Sequence, residues 1–190
     1  MEKLAEKRNF IEDHKGFSLV EFIVVMAIMA ILLGASVTLI GNLHYANLES
    51  AVESLHAMLE KQRVTTMSKE DDWYLYIYRL TDGYYMMLTN EEYGASSEIA
   101  NKENGTKICS GSIQITAGSS GTILGSNDMV RISYLRNGVF SDESKVFVSG
   151  NVPEDFFDAG NREGRIVFTG RGSHNVTLYK DTGKNFIDEP

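Results

Sequence analysis

The sequence predicts an α+β fold, a long N-terminal helix followed by an antiparallel β-rich head. Three observations carry this. From Phe22 to Ile40, 19 residues pass without a charge; Leu48, Val52, Leu55 and Leu59 then recur at helical spacing; and beyond Asp72 short aromatic and β-branched runs alternate with glycine-containing turns. At 190 residues the chain holds one domain with an appendage. A 43% hydrophobic content supplies a core, which excludes wholesale disorder. The net charge of -8 argues against a general polyanion binder, which needs a cationic field to release counterions. Cys109 is the single cysteine, so no intramolecular disulfide or cysteine-based metal cluster can form.

Residues 1–16 form a charged leader in which Lys3, Lys7, Arg8 and Lys15 balance Glu2, Glu6, Glu12 and Asp13. The apolar run that follows would extend roughly 28 Å as a helix, about the hydrocarbon thickness of a bilayer. It lacks the polar stripe of a water-soluble core helix, and so reads as a single membrane span over residues 17–41. A secretory signal would carry a shorter apolar stretch closed by small residues at a cleavage site. The helix is expected to continue to about Ser68 without a proline, its 42–68 segment amphipathic. Leu48, Val52, Leu55 and Leu59 face the head, and Glu49, Glu53, His56 and Glu60 lie on a wet neighbouring face.

The head, 69–190, opens with strands at Trp73–Leu80 and Tyr84–Leu88 joined by a turn at Asp82-Gly83. Thr89–Thr106 is expected to be loop. Further strands are expected at Lys107–Cys109, Ser112–Thr116, Met129–Leu135, Val139–Phe140 and Lys145–Val148, with Asn137-Gly138 as a second two-residue hairpin loop. Asn151–Gly164 reads as loop, and Arg165–Thr169 with Val176–Tyr179 as a closing hairpin across Gly170-Arg171-Gly172. Trp73, Tyr74, Tyr76 and Tyr78 alternate with Leu75 and Ile77, which gives the first strand two apolar faces.

Glu21 is the odd residue, a carboxylate on the first turn of an apolar helix. Burying it unpaired would cost several kcal/mol, so a partner or a purpose is expected. Lys15-Gly16-Phe17-Ser18-Leu19-Val20-Glu21, followed by the apolar helix, resembles the signal of type IV pilins and pseudopilins. The resemblance implies that a membrane prepilin peptidase and methyltransferase cuts between Gly16 and Phe17 and methylates the Phe17 amine. It also implies that Glu21, fifth residue of the mature chain, pairs with that amine in a neighbouring subunit. Such a pair would satisfy two charges in a water-poor filament core and fix axial register. Ala27, Ala30, Gly34 and Ala35 would allow the helices to approach closely. The late strands are similar to those of the H-type minor pseudopilins of type II secretion and the FimT-like minor pilins.

No other grouping suggests chemistry. His14, His44, His56 and His174 show no metal-ligand spacing and read as ordinary surface residues, with Cys109 a small core residue. Asp155, Asp158 and Glu163 could offer calcium loop oxygens, but the spacing is not that of an EF-hand and a solvated loop is the simpler reading. Arg162, Arg165 and Arg171, with Lys180 and Lys184, make the end of the chain basic. They could touch DNA phosphates, although a salt-bridged sheet edge explains them as well.

The expectation is a structural minor subunit of a type II secretion pseudopilus or type IV pilus, without enzymatic activity or cofactor. The alternative is a pilus-tip subunit that binds DNA or another ligand. By resemblance the partners are the prepilin peptidase, other pilin or pseudopilin subunits, a platform membrane protein and an assembly ATPase. The location implied is the bacterial cytoplasmic membrane, with the head on its extracytoplasmic side before filament assembly.

Overall fold

The computed structural model describes residues 18–99 and 105–188, with side chains for all of these except 35–44 and 96. The leader 1–16, with Gly16, and Phe17 lie outside the described residues. The chain divides into two compact units, Met1–Ile40 and Gly41–Pro190.

Helix α1 runs Leu19–Ser68, an uninterrupted span that the proline-free sequence allows. Its predicted stripe is realised in the second unit. Leu48, Val52, Leu55 and Leu59 are buried together with Ala51, one residue from Val52, which widens the stripe. Two polar residues extend it, Gln62 and Thr66, both fully buried. The expected wet face is only partly wet. Glu49 and Glu53 are exposed, whereas His56 and Glu60 are half-buried because Asn185 reaches both: its carbonyl meets His56 Nδ1 and its amide donates to Glu60 at 3.0 Å.

Eleven strands among the described residues form two antiparallel sheets. β1 (Tyr74–Leu80), β2 (Gly83–Thr89), β3 (Thr106–Ser110), β6 (Met129–Ser133), β7 (Lys145–Phe147) and β8 (Glu154–Asp155) make the first, in the order β3-β2-β1-β6-β7-β8. β4 (Gln114–Ala117), β5 (Thr122–Ile123), β9 (Glu163–Thr169), β10 (Ser173–Tyr179) and β11 (Lys184–Asp188) make the second, ordered β11-β10-β9-β4-β5. The α1 stripe shares one core with Leu75, Ile77, Val130 and Ile132 of the first sheet and Ile115, Ile166, Phe168, Val176 and Leu178 of the second.

The other face of β1 is also covered. Tyr74, Tyr76 and Tyr78 pack with Tyr85, Met87, Met129 and Ile99 in a second cluster. Ile99 ends a short helix, α2 (Ser96–Ile99), inside the segment expected to be loop. That segment is tied down by Tyr93 N–H donating to the Tyr76 hydroxyl at 2.8 Å and by Glu92 accepting from Arg131 Nη1 at 2.5 Å. Arg131 is itself buried, its guanidinium over the rings of Tyr74 and Phe147.

Several expected details differ. The β1–β2 register pairs Leu80 with Gly83, so Thr81 and Asp82 make the turn and Gly83 already belongs to the strand. Glycine is needed there for close approach, since a Cβ would sit 2.2 Å from the Cys109 carbonyl oxygen. Around Asn137-Gly138 the loop has three residues, because Leu135 N–H bonds the Val139 carbonyl at 2.8 Å. Val139–Phe140 forms no ladder, only a bridge from Phe140 to Tyr134. The 151–164 loop contains β8, and β5 and β11 were not expected at all.

Candidate functional site

The exposed apolar surface of α1 is the feature that a folded head does not explain. Every described side chain from Ser18 to Gly34 is exposed, including Leu19 at 75%, Phe22 at 61% and Leu33 at 68%. Large apolar residues exposed in series mark a contact surface for lipid or protein. Here they occupy every side of the helix, as the missing polar stripe implied. Among the described residues no helix is long and apolar enough to cross a membrane. The described side chains of the apolar run end at Gly34, whereas the charge-free sequence continues to Ile40.

Ser18 starts this helix. Its hydroxyl accepts from Val20 N–H at 3.3 Å, and its carbonyl accepts from Phe22 N–H at 3.0 Å, which makes Ser18 the N-cap. Glu21 then stands at the third helical position, where an acid is favoured by the orphan N–H groups and the helix dipole. The Ser-x-x-Glu pattern is visible in the sequence and gives Ser18 a role at the helix start. It also gives Glu21 a local reason to exist in the isolated chain, besides any partner it meets on assembly.

The three arginines are not brought together. Arg162 precedes β9, Arg165 lies within it and Arg171 follows it, so about 20 Å of strand separates the outer two. Arg162, in a left-handed conformation (φ 56°), is held by Asp181, whose carboxylate oxygens lie 2.7 and 2.8 Å from Nε. That pairing raises the Arg162 pKa and lowers that of Asp181. Arg165 lies 3.6 Å from Glu163, and Lys180 is paired with Asp142. Arg171 is exposed on the β9–β10 turn.

The acidic loop is likewise divided. Asp158 accepts from the backbone N–H groups of Gly160 (2.7 Å) and Asn161 (3.0 Å), which holds its pKa below the ordinary carboxylate value. Asp155 pairs with Lys145. No group of three or more potential metal ligands occurs among the described residues. Two histidines differ from the surface expectation. His56 is half-buried against Asn185, and His174 is buried with the Tyr45 ring edge-on at 5.3 Å. His14 and the His44 side chain fall outside the described residues. Cys109 is buried as expected, and burial pushes its thiol up to about 11.

Comparison with known proteins bears on the N-terminal segment. The search of curated proteins returns no match. Among solved structures the chain is similar to the type IV minor pilin FimU of Pseudomonas aeruginosa, at 16% identity and a TM-score of 0.44, covering 76% of this chain and 90% of that one. A family model described as the prokaryotic N-terminal methylation motif matches residues 13–37, a span that contains Gly16, Phe17, Ser18 and Glu21. Residues 13–37 thus carry the prokaryotic N-terminal methylation motif.

Proposed function

We propose that the chain is a structural minor subunit of a type II secretion pseudopilus or type IV pilus, cut between Gly16 and Phe17 and methylated on the new amine. The observation that carries this reading is the methylation motif of residues 13–37 lying over the α1 segment from Ser18 to Gly34, whose side chains are all exposed. Residues 1–16 are the leader and 17–41 the span that anchors the chain in the membrane before assembly. The segment 42–68 rests on the head, 69–190. In the filament, contact with like helices replaces lipid, and Glu21 neutralises the Phe17 amine of a neighbouring subunit. The role is mechanical. Processing requires a prepilin peptidase, and assembly requires a platform protein, an ATPase and other pilin-like subunits. The DNA-binding alternative is less well supported, because its arginines are spread along β9 and Arg162 already holds Asp181.

The test is the intact mass and N-terminal sequence of the full chain co-expressed with a prepilin peptidase, beside Gly16→Ala. The expected product begins at a methylated Phe17 and is lost in the variant. A chain left uncut, or cut after the apolar run, would overturn the proposal.

A further inference from the structure

Among the described residues each sheet leaves two edges, and three of the four are guarded. β5 and β8 are two residues long, and at β3 the pairing with β2 is shifted by an irregularity between Tyr84 and Tyr85, with Lys107 beside it bound to Asp82. Short, bent or charged edges resist pairing with another chain. β11 is different. It runs five residues, Lys184-Asn185-Phe186-Ile187-Asp188, in unbroken register with β10, and it exposes Phe186 (51%) and Ile187 (37%).

Its hydrogen-bonding direction follows from its neighbours. Lys180 N–H bonds the Arg162 carbonyl, so even-numbered residues at this end of β10 turn their backbone groups toward β9 and odd-numbered ones toward β11. Tyr179, Thr177 and Asn175 pair with Lys184, Phe186 and Asp188, whose backbone groups therefore face β10. The N–H and C=O groups of Asn185 and Ile187 are left pointing to the open side.

We propose that β11 pairs antiparallel with β11 of a second copy of this chain, about a two-fold axis at Phe186. The charge pattern selects this partner and register. An antiparallel pairing centred on Phe186 sets Lys184 of each copy opposite Asp188 of the other, giving two ion pairs, whereas a parallel pairing would set like charges together. Asn185 and Ile187 then exchange the four backbone bonds that both edges lack. Phe186 meets its own counterpart, on the face where Tyr179 already packs edge-on against it at 5.7 Å. Thr177 donates to Asp188 at 2.7 Å, which holds that carboxylate at the strand end and still leaves its other oxygen for a lysine. The contact lies wholly in the head and does not depend on the N-terminal helix or its processing.

The full chain, in membranes, is the material for the test. Opposed residues at the axis form a non-hydrogen-bonded pair with Cα atoms about 4.5 Å apart, within disulfide range. Phe186→Cys, oxidised with copper phenanthroline, is expected to give a covalent dimer on a non-reducing gel. The wild type, with its thiol buried at Cys109, is expected to give none. Adding Lys184→Asp to Phe186→Cys should lower the dimer fraction about fivefold or more, and adding Asp188→Lys as well should restore it. A dimer that is absent with Phe186→Cys, or that ignores both charge changes, overturns the proposal.

Discussion

The side-chain nitrogen of Gln62 lies 2.6 Å from the carbonyl oxygen of Ile132 and 2.7 Å from that of Trp73, so one amide joins α1 to β6 and to the residue before β1. Gln62 is fully buried and continues the stripe of Leu48, Val52, Leu55 and Leu59 as a polar member. An apolar residue there would fill the space but remove the one amide that donates to both carbonyls. The helix is thereby fixed to the first sheet at one axial position, which apolar packing alone does not specify.

Gln62→Leu is expected to destabilise the head by about 1–2 kcal/mol, the net loss of two buried hydrogen bonds offset in part by removal of the side-chain oxygen, which is buried without a partner. Gln62→Glu should cost more, because a carboxylate would face two carbonyl oxygens with nothing to donate. Urea unfolding of the full chain in detergent, followed by the single tryptophan, Trp73, measures both. An unchanged midpoint for Gln62→Leu would show that the amide contributes nothing to the docking.

Cys109 makes stability fall at alkaline pH. Burial raises its thiol from 9.0 to about 11, against smaller opposing effects of the Tyr84 N–H and Lys107. The folded state therefore holds the proton more tightly than the unfolded chain. Its contribution is intact below pH 9 and is lost as pH rises toward 11. Tyr74, pushed up to about 12 chiefly by burial, extends the decline. Urea midpoints between pH 8 and 11 should fall less steeply in Cys109→Ala than in the wild type; equal slopes would remove the thiol from this account.

The helix and the hairpins were legible because their signals are local. A proline-free run with a 3-4 apolar repeat marks α1, and alternating Tyr and Ile marks β1. What escaped depends on distant partners. β11 carries Asn185 inward, where His56 and Glu60 satisfy it, so the strand breaks the apolar alternation by which strands are recognised. β5 and β8 are too short to carry a period. Asp82-Gly83 reads as the turn in the sequence, whereas Thr81-Asp82 makes it and Gly83 serves the approach of Cys109 on β3. The aromatic face of β1 found its cover in 90–99, a segment whose polar sequence hides Tyr93 and Ile99.

The N-terminal site rests on a resemblance rather than on periodicity. Gly16 and Phe17 lie outside the described residues, and the methylation motif over residues 13–37 spans them together with Glu21. Arg162 misled in another way. Its charge is plain in the sequence, but the Asp181 that holds it lies 19 positions away across the β9–β10 hairpin.

Glu21 now has two possible duties, capping its own helix with Ser18 and pairing with a neighbour's amine, and glutamine separates them. A glutamine at the third helical position still suits a capping box but carries no charge. Glu21→Gln should therefore leave peptidase cleavage and the helix start intact while lowering incorporation into filaments at least about tenfold, since the neighbouring amine would stay buried without an opposite charge. Ser18→Ala should do the reverse, loosening the first turn by about 1 kcal/mol and leaving assembly nearly unchanged. Filament yield and intact mass, measured for both variants against wild type, decide the matter. If Glu21→Gln assembles normally and Ser18→Ala does not, the carboxylate belongs to the helix cap and the register of the filament must be set elsewhere along α1.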